Sequence, residues 1–241
     1  MNSHQNTTAT LVQQASTVAF MNRVYLWMVS GLLITALTAY FTSLYLPVLI
    51  IYLSYKPHGL SLLSTTFYCL LALQFIEVLG LSFLLNKISA FVATCAYLLY
   101  AFTVGLTFSV IFLAYSKENI SSAFFITSFA FAGLSLFGYY TKKDLQFLGT
   151  FCLMGLFGLI GFGIYSLISP NALSEASQWS LNIAGIIIFS GLTAFDTQRI
   201  KKLAYSNLGD KEQVEKAAIF GALALYLDYI NLFLKILGRR R

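Results

Sequence analysis

Three carboxylates stand out in this chain because they lie within, or at the end of, long apolar runs. They are Glu77, Asp196 and Asp228, whereas the other six acidic residues lie in polar segments or at their edges. A charge at the centre of a bilayer costs roughly 2.5–3.5 kcal/mol on insertion scales, so these side chains are expected to face protein or water rather than lipid. Each is therefore a candidate functional group.

Asp196 and Asp228 belong to the last two apolar runs, and a specific chemistry follows if they face each other. Two carboxylates in hydrogen-bonding range cannot both ionise cheaply, so the pair shares a proton. A protonated pair ties its two helices together. A deprotonated pair repels, or it accepts a hard cation such as Ca²⁺ through its oxygen atoms. The two residues are thus candidates for a pH sensor on an ion pathway and for a transient Ca²⁺ site.

Each acid also has a plainer interpretation. Asp196 could cap its helix or reach out of the membrane at the helix end, paired with Arg199 or Lys202. Asp228 and Glu77 could be interior acids with purely structural hydrogen bonds. These alternatives stay open at the level of sequence.

The composition is that of an integral membrane protein. Of 241 residues, 58% are hydrophobic and only 10% are charged, whereas soluble domains carry about 25% charged residues. The net charge of +6 does not indicate nucleic-acid binding, because the basic residues lie in short segments between apolar runs. Three cysteines inside apolar runs, and two histidines in a tail and a loop, predict neither disulfides nor a resident metal. We expect no cofactor.

Apolar runs of about 20 residues, the length that crosses a bilayer, occur seven times. They predict an all-α membrane protein, with a flexible polar tail over residues 1–22 and one seven-helix transmembrane domain over residues 23–241. The last run needs neighbours on all sides because Asp228 lies near its middle, so it is expected at the centre of the bundle. The runs are 24–46, 61–85, 88–113, 121–140, 146–168, 179–196 and 217–237.

Lysine and arginine set the expected orientation. With seven spans, nine of the fifteen lie on the side of the N-terminus and six on the other, which favours a cytoplasmic N-terminus. The three arginines at 239–241 argue against this, and a last segment that dips in and returns is the rival arrangement. Lys87 lies in a short cytoplasmic turn. It is a candidate counter-charge for the acids and otherwise an ordinary basic residue of such a turn.

Glycines cluster in the fifth run, at Gly155, Gly158, Gly161 and Gly163. Small residues at such spacings form a stripe where a neighbouring helix can approach closely. Helix packing is the simpler interpretation of this stripe, and a hinge is the alternative.

Several segments together resemble the Bax inhibitor-1 (transmembrane Bax inhibitor motif) family. The strongest are Ala222-Leu-Ala-Leu-Tyr-Leu-Asp-Tyr-Ile-Asn-Leu-Phe233 and Ser190-Gly-Leu-Thr-Ala-Phe-Asp-Thr-Gln-Arg-Ile200. Further matches are Val104-Gly-Leu-Thr-Phe-Ser-Val-Ile-Phe112, Phe137-Gly-Tyr-Tyr-Thr-Lys-Lys-Asp-Leu145 and Asn22-Arg-Val-Tyr25. They occur in order from the first helix to the last.

The resemblance implies seven helices with the last one surrounded by the other six, and a proton-sensitive Ca²⁺ leak. In eukaryotic members it also implies protection against cell death. Asp196 and Asp228 fall on the positions of the family's di-aspartyl pH sensor, and Glu77 matches an acid of the second helix. Some members pair the dyad with a basic residue after the second helix, usually arginine. Lys87 is the nearest match, and it lacks arginine's planar two-pronged donor.

Two other functions compete with the Ca²⁺ leak. One is a non-conducting regulator of stress, cell death or quality control that binds other membrane proteins. The other is an intramembrane aspartyl protease, which also uses two aspartates on consecutive helices. Those proteases carry Gly-x-Gly-Asp and a later Pro-Ala-Leu, whereas Leu225-Tyr-Leu precedes Asp228 here and no proline follows Pro170. We therefore expect a non-enzymatic protein.

The expected partners are calcium ions, protons and the lipid bilayer, with other membrane proteins added if the chain is a regulator. The compact loops favour a bacterial inner membrane over an endoplasmic reticulum.

Overall fold

The computed structural model describes residues 2–56, 59–84, 87–169, 174–206 and 210–239. All regular structure in these ranges is helical, which confirms the predicted fold class. Within them, seven helical segments are long and apolar enough to cross a membrane. The helices are α1 (Asn2–Ser54), α2 (Gly59–Leu84), α3 (Ala90–Phe108), α4 (Ile111–Ala114), α5 (Lys117–Tyr140), α6 (Gln146–Ile168), α7 (Glu175–Ser206) and α8 (Lys211–Gly238).

The outer faces of these helices carry large apolar side chains. Phe129 is 78% exposed and Phe147 is 85% exposed, and many other aromatic and aliphatic residues are similarly uncovered. Apolar faces of this kind are compatible with contact to lipid tails. The helical backbone is compatible with the bilayer as well, because its N–H and C=O groups are hydrogen-bonded within the helix.

α1 is longer than the first apolar run at both ends. It begins at Asn2, whereas a tail was predicted over residues 1–22. Thr17, Phe20 and Met21 are buried, so the helix packs against protein at residues 17–21. At the other end α1 continues past Pro47, where the sequence predicted a stop. A proline removes one helical hydrogen bond, and membrane-spanning helices tolerate that loss.

The third apolar run is divided in two. α3 ends at Phe108, a turn follows at Ser109 and Val110, and the short α4 completes the span. At the start of α3, the Ser89 side chain accepts a hydrogen bond from the backbone N–H of Val92. This contact is the usual N-terminal cap of a helix.

The chain divides into two compact units. The first contains α1 to α4 and the part of α8 up to Leu223, and the second contains α5 to α7 and α8 from Ala224. The prediction of one seven-helix domain stays a prediction.

In the first unit α1 packs along α3. The Thr35 hydroxyl donates to the carbonyl of Ala101 (2.8 Å), and the Tyr97 hydroxyl donates to the carbonyl of Trp27 (3.0 Å). Near the N-terminal end of α8, Arg23 forms an ion pair with Glu215 at 3.9 Å.

In the second unit α7 packs against both α5 and α6. The apolar core of this second unit contains Cys152 of α6, Phe189 and Leu192 of α7, and Leu232 of α8. Of the seven spans α8 is the most buried, with 67% of its most apolar stretch buried against 44% or less in the others. This is the burial expected of an interior helix.

The predicted glycine stripe of α6 is wrong for three of its four members. A Cβ built at Gly155 would meet the side chain of Ile188, but at Gly158, Gly161 and Gly163 no described atom lies within 4 Å of that position. Each step of three residues from Gly155 to Gly161 shifts the position by about 60° around the helix, and Gly163 follows after only two residues, so these glycines do not share one face. Gly158, Gly161 and Gly163 therefore do not mark a helix crossing within the described part of the chain.

Some residues named above lie outside the described ranges. They are His58, Pro170 and the arginines at 240 and 241, together with the residues at 85–86 that precede Lys87.

Candidate functional site

α7 carries Asp196 and extends well beyond it. The sixth apolar run was expected to end at this residue, but the helix continues for another ten residues to Ser206. Asp196 therefore lies inside a helix, and the interpretation of it as a cap is wrong. The extension is stable because Ile200 and Ala204 are buried although the segment is rich in charged residues.

Glycines let the neighbouring helices approach α7 closely beside Asp196. A Cβ at Gly138 of α5 would meet the backbone carbonyl of Ala194, and one at Gly149 of α6 would meet the ring of Phe195 at 2.5 Å. One turn earlier, a Cβ at Gly191 would meet the sulfur of Cys152. The residues just before Asp196 are thus held between α5 and α6.

A polar contact continues this crossing on the other side of Asp196. The hydroxyls of Ser135 and Thr197 lie 3.0 Å apart, and the Thr197 hydroxyl is also 2.8 Å from the carbonyl of Thr193. All three side chains are buried. Interhelical hydroxyl contacts of this kind hold membrane helices together where burial alone gives little preference.

Asp228 is one of the most enclosed polar residues of the described chain. The residue is only 4% exposed, so it does not face lipid. Its Oδ2 atom is buried, and no hydrogen-bond donor among the described residues reaches it. A buried acceptor without a donor is rare in native structures, and each case calls for an explanation such as an ion, a proton or a function.

The helix around Asp228 is fixed by its neighbours in the second unit. The hydroxyls of Tyr229 and Ser128 lie 2.8 Å apart, and the Tyr229 ring packs edge-on against Phe124 and Phe131 of α5. One turn later Leu232 enters the apolar core with Cys152. Asp228 thus has little freedom to move its backbone away from its surroundings.

The two aspartates lie within electrostatic reach of each other, and their surroundings differ. The Asp228 carboxyl interacts with the charge of Asp196, and the Cys152 thiol interacts with Asp228. The Asp196 side chain is 16% exposed and forms an ion pair with Arg199 at 3.8 Å. Asp228 Oδ2 is therefore buried with no donor among the described residues, whereas Asp196 is partly exposed and pairs with a cation.

The remaining predicted site residues belong to the first unit. Glu77 Oε2 accepts a hydrogen bond from the hydroxyl of Thr103 at 2.8 Å, and Gln74 donates to the Thr103 carbonyl and to the hydroxyl of Thr107. Glu77 is thus part of a polar cluster between α2 and α3. Lys87 is exposed in the turn before α3, and no described residue forms an ion pair with it.

The structure also contains an important residue that the sequence argument passed over. Gln198, two residues after Asp196, is 7% exposed and holds the turn between α5 and α6 against α7. Gln198 lies within the segment from Ser190 to Ile200 that resembles the family, so the residue itself could be noticed in the sequence. A buried amide must find partners, but which ones depends on a turn more than fifty residues earlier.

Two carboxylates alone make an incomplete site for a resident divalent cation. No cluster of three or more His, Cys, Asp or Glu side chains that could hold a metal occurs in the described part of the chain. Ca²⁺ takes six to eight oxygen ligands, and two carboxylates supply at most four. An ion at the pair would keep much of its water.

Comparison with known sequences places the chain in a family. Residues 17–238 match the family model described as "Inhibitor of apoptosis-promoting Bax1". The inner membrane protein YbhL of Escherichia coli K12 is 38% identical over 235 residues, which cover 95% of this chain and 94% of that protein. An uncharacterized protein of Borreliella burgdorferi is 39% identical over 225 residues, 92% of each chain.

A membrane protein of Streptococcus pyogenes gives a shorter match. It is 33% identical over 141 residues, which cover 58% of this chain and 59% of that protein. The family model covers most of the chain, from α1 to the end of α8. The YbhL match is similarly complete. The chain is therefore a multi-pass membrane protein of bacterial type, and it belongs to the Bax inhibitor-1 family.

Proposed function

We propose that this protein is a Ca²⁺ leak pathway of the Bax inhibitor-1 type, closed by protons at Asp196 and Asp228. The observation that carries the proposal is the buried Asp228 carboxyl: no described donor reaches its Oδ2, and it interacts with the charge of a second, partly exposed carboxyl, Asp196. An acid so placed is costly to the fold unless a proton or a cation satisfies it.

In the closed state one proton is shared by the two acids. A protonated carboxyl has an O–H that donates to the other carboxylate, so the orphaned oxygen of Asp228 gains a partner. This hydrogen bond would tie α7 to the C-terminal part of α8. Acidic conditions therefore favour closure.

In the open state both acids are charged and repel each other. Two negative charges near a dry site attract a hard cation, and carboxylate oxygen is the ligand that Ca²⁺ prefers. Arg199 competes with that cation for Asp196, because it already forms an ion pair with it. Arg199 is therefore the counter-charge that the ion displaces, and Cys152 is a further titratable group that interacts with Asp228.

Two residues of the first unit are proposed as accessories. Glu77 is a partly buried acid within a membrane span, hydrogen-bonded to Thr103, and it is assigned an accessory role in cation attraction. Lys87 is assigned the role of a counter-charge. Variants of both belong in the assay described next.

The proposal is tested by Ca²⁺ flux into liposomes that contain the purified protein and a Ca²⁺ dye, across a pH series from 5 to 8. Flux should fall as the pH falls. Asp228→Asn and Asp196→Asn should each lower the rate at pH 8 roughly tenfold or more, because one charge at close range contributes several kcal/mol to ion binding. Asp210→Asn, which removes an exposed carboxylate before α8, is the matched control and should leave the rate unchanged.

Two results decide against this function. An Asp228→Asn variant with unchanged flux and pH profile would remove the aspartates from the mechanism. Parent flux no greater than that of empty liposomes would favour the non-conducting regulator, in which the same pair adjusts a conformation that other membrane proteins recognise.

A further inference from the structure

A second polar site lies at one end of α7, about one turn beyond Asp196. It is a cavity of about 240 Å³ between the end of α5, the turn at residues 141–145 and the end of α7. Four lysines line it, Lys142 and Lys143 from the turn and Lys201 and Lys202 from α7, with Asp144 as the one acid. We call this cavity the basic pocket.

Buried hydrogen bonds give the basic pocket a fixed frame. Gln198 donates from Nε2 to the carbonyl of Lys143 at 2.8 Å and accepts from the N–H of Leu145 at 3.0 Å. Lys201 donates to the carbonyl of Tyr139 at 2.7 Å, and its ammonium group lies 4.4 Å from the centre of that ring. The turn is therefore held against α7, and a ligand would meet a preorganised site.

The lysines of the basic pocket carry more positive charge than the protein neutralises. Lys202 forms an ion pair with Asp144 at 2.8 Å, and both side chains are 60% exposed. Their hydrogen bond holds the pKa of Asp144 below its ordinary value, so this acid stays charged. Lys142 and Lys143 are exposed, and no described acid forms an ion pair with either.

The basic pocket lies where three spans reach water. The α5 span ends at Tyr140, the α6 span begins at Gln146 and the α7 span ends at Ala204. Tyr139 and Tyr140 form an edge-to-face ring pair at this level, and tyrosine favours the headgroup region of a bilayer. Phosphate groups of lipids occur at this depth, and basic pockets between membrane helices bind anionic headgroups.

We propose that the basic pocket binds a phosphate group, supplied by the headgroup of an anionic phospholipid, with Lys142 and Lys143 as its principal ligands. Lys202 turns from Asp144 toward the phosphate when the ligand is present. An exposed ion pair of this kind contributes little and does not hold the lysine back. The proposal concerns binding alone and does not depend on ion conduction.

The test measures binding of short-chain phosphatidylglycerol to the full-length protein in neutral detergent, by calorimetry. Phosphatidylcholine of the same chain length and inorganic phosphate are the comparison ligands. Lys142→Gln/Lys143→Gln should weaken phosphatidylglycerol binding about 30-fold, since each basic side chain near anionic lipid contributes roughly a factor of five. Lys117→Gln/Lys211→Gln removes the same charge from exposed positions elsewhere and should change binding less than about twofold.

Asp144→Asn supplies a change of opposite sign. It removes the one negative charge among the residues that line the basic pocket, so phosphatidylglycerol should bind about fivefold more tightly. A variant that merely misfolds cannot gain affinity, and the direction of this effect separates a binding role from a structural one.

The three ligands identify the source of the phosphate. Tight phosphatidylglycerol binding that inorganic phosphate does not displace supports the lipid headgroup. Inorganic phosphate that binds with the same dependence on Lys142 and Lys143 supports the phosphate site but assigns it to a soluble anion. Equal affinity for phosphatidylcholine, or equal losses in the two double variants, would overturn the proposal.

Discussion

The buried position of Asp228 lowers the stability of the folded protein. The Asp228 Oδ2 is buried and receives no hydrogen bond from the part of the chain that the structure describes, and an unsatisfied buried acceptor costs about 1–3 kcal/mol, more when it is charged. The rest of α8 near it is well packed, so the cost does not come from a poorly formed helix. Natural proteins commonly retain such costs where activity requires them.

The first prediction at this scale is that Asp228→Asn stabilises the protein in alkaline solution. The amide has the same shape and no charge, so we expect the free energy of unfolding at pH 8 to rise by about 1–3 kcal/mol. At pH 5, where the parent pair shares a proton, the difference should shrink. Thermal unfolding in detergent at the two pH values measures it.

The control is again Asp210→Asn. Asp210 accepts a hydrogen bond from the Glu212 N–H at the start of α8 (3.0 Å), and asparagine caps a helix about as well as aspartate, so Tm should change little at either pH. An Asp228→Asn variant that loses stability equally at both pH values would show that the acid is structural. The proton-shared pair would then lose its physical basis.

Some of these residues could be selected from the sequence, and others could not. An acid inside an apolar run is visible in one dimension, which is why Glu77, Asp196 and Asp228 were candidates. The Arg199 partner of Asp196 follows from helical spacing, since residues three apart share a face. The role of Gln198 depends on a turn 53 residues earlier that folds back on α7, and no local pattern indicates that contact.

At the scale of the helices, the important feature is the short distance from α7 to its neighbours α5 and α6. Gly138 of α5 and Gly149 of α6 bring their backbones against Ala194 and Phe195, immediately before Asp196. Membrane helices associate largely through such close packing, because lipid provides no hydrophobic drive between them. The position of Asp196 therefore depends on residues that carry no charge.

The second prediction tests this dependence with two glycines of α5. Gly138→Ala puts a methyl group against the Ala194 carbonyl, so α5 must move, and we expect a loss of about 1–3 kcal/mol in stability, as for other overpacked sites. Gly133→Ala adds the same group where no described atom lies within 4 Å. It should be neutral or stabilising by up to about 1 kcal/mol, since alanine favours helix.

Tm in detergent measures both variants, and Ca²⁺ flux at pH 8 shows whether the displacement reaches Asp196. Equal Tm values for the two variants would mean that α5 and α7 are not closely packed at Gly138. The close approach of α5 to α7 would then not determine the position of Asp196.

Helix boundaries show what apolar runs can and cannot predict. The fifth run, 146–168, is α6 with the same ends, because polar loops bound it on both sides. The sixth run stops at the first charged cluster, but α7 continues, since Ile200 and Ala204 have an interior to pack against. The glycine stripe failed for a related reason, as spacing alone does not say which face meets a neighbour.

At the scale of the whole molecule, the distribution of charge determines the orientation in the membrane. The basic pocket contains four lysines and borders the ends of three spans. Cytoplasmic loops carry the excess of lysine and arginine. We therefore propose that the turn at residues 141–145 and the N-terminus face the cytoplasm of a bacterial inner membrane.

The third prediction follows from this orientation and from the seven spans. An odd number of crossings places the end of α8, with Arg239, on the outer side, although arginines there oppose the charge rule. Alkaline phosphatase fused after Arg241 should be active and green fluorescent protein at the same place dark. A truncation fused after Asp144 should give the reverse result and serves as the control. Fluorescence from the full-length fusion would mean that α8 returns to the cytoplasmic side, which would also change the direction from which water and ions approach Asp228.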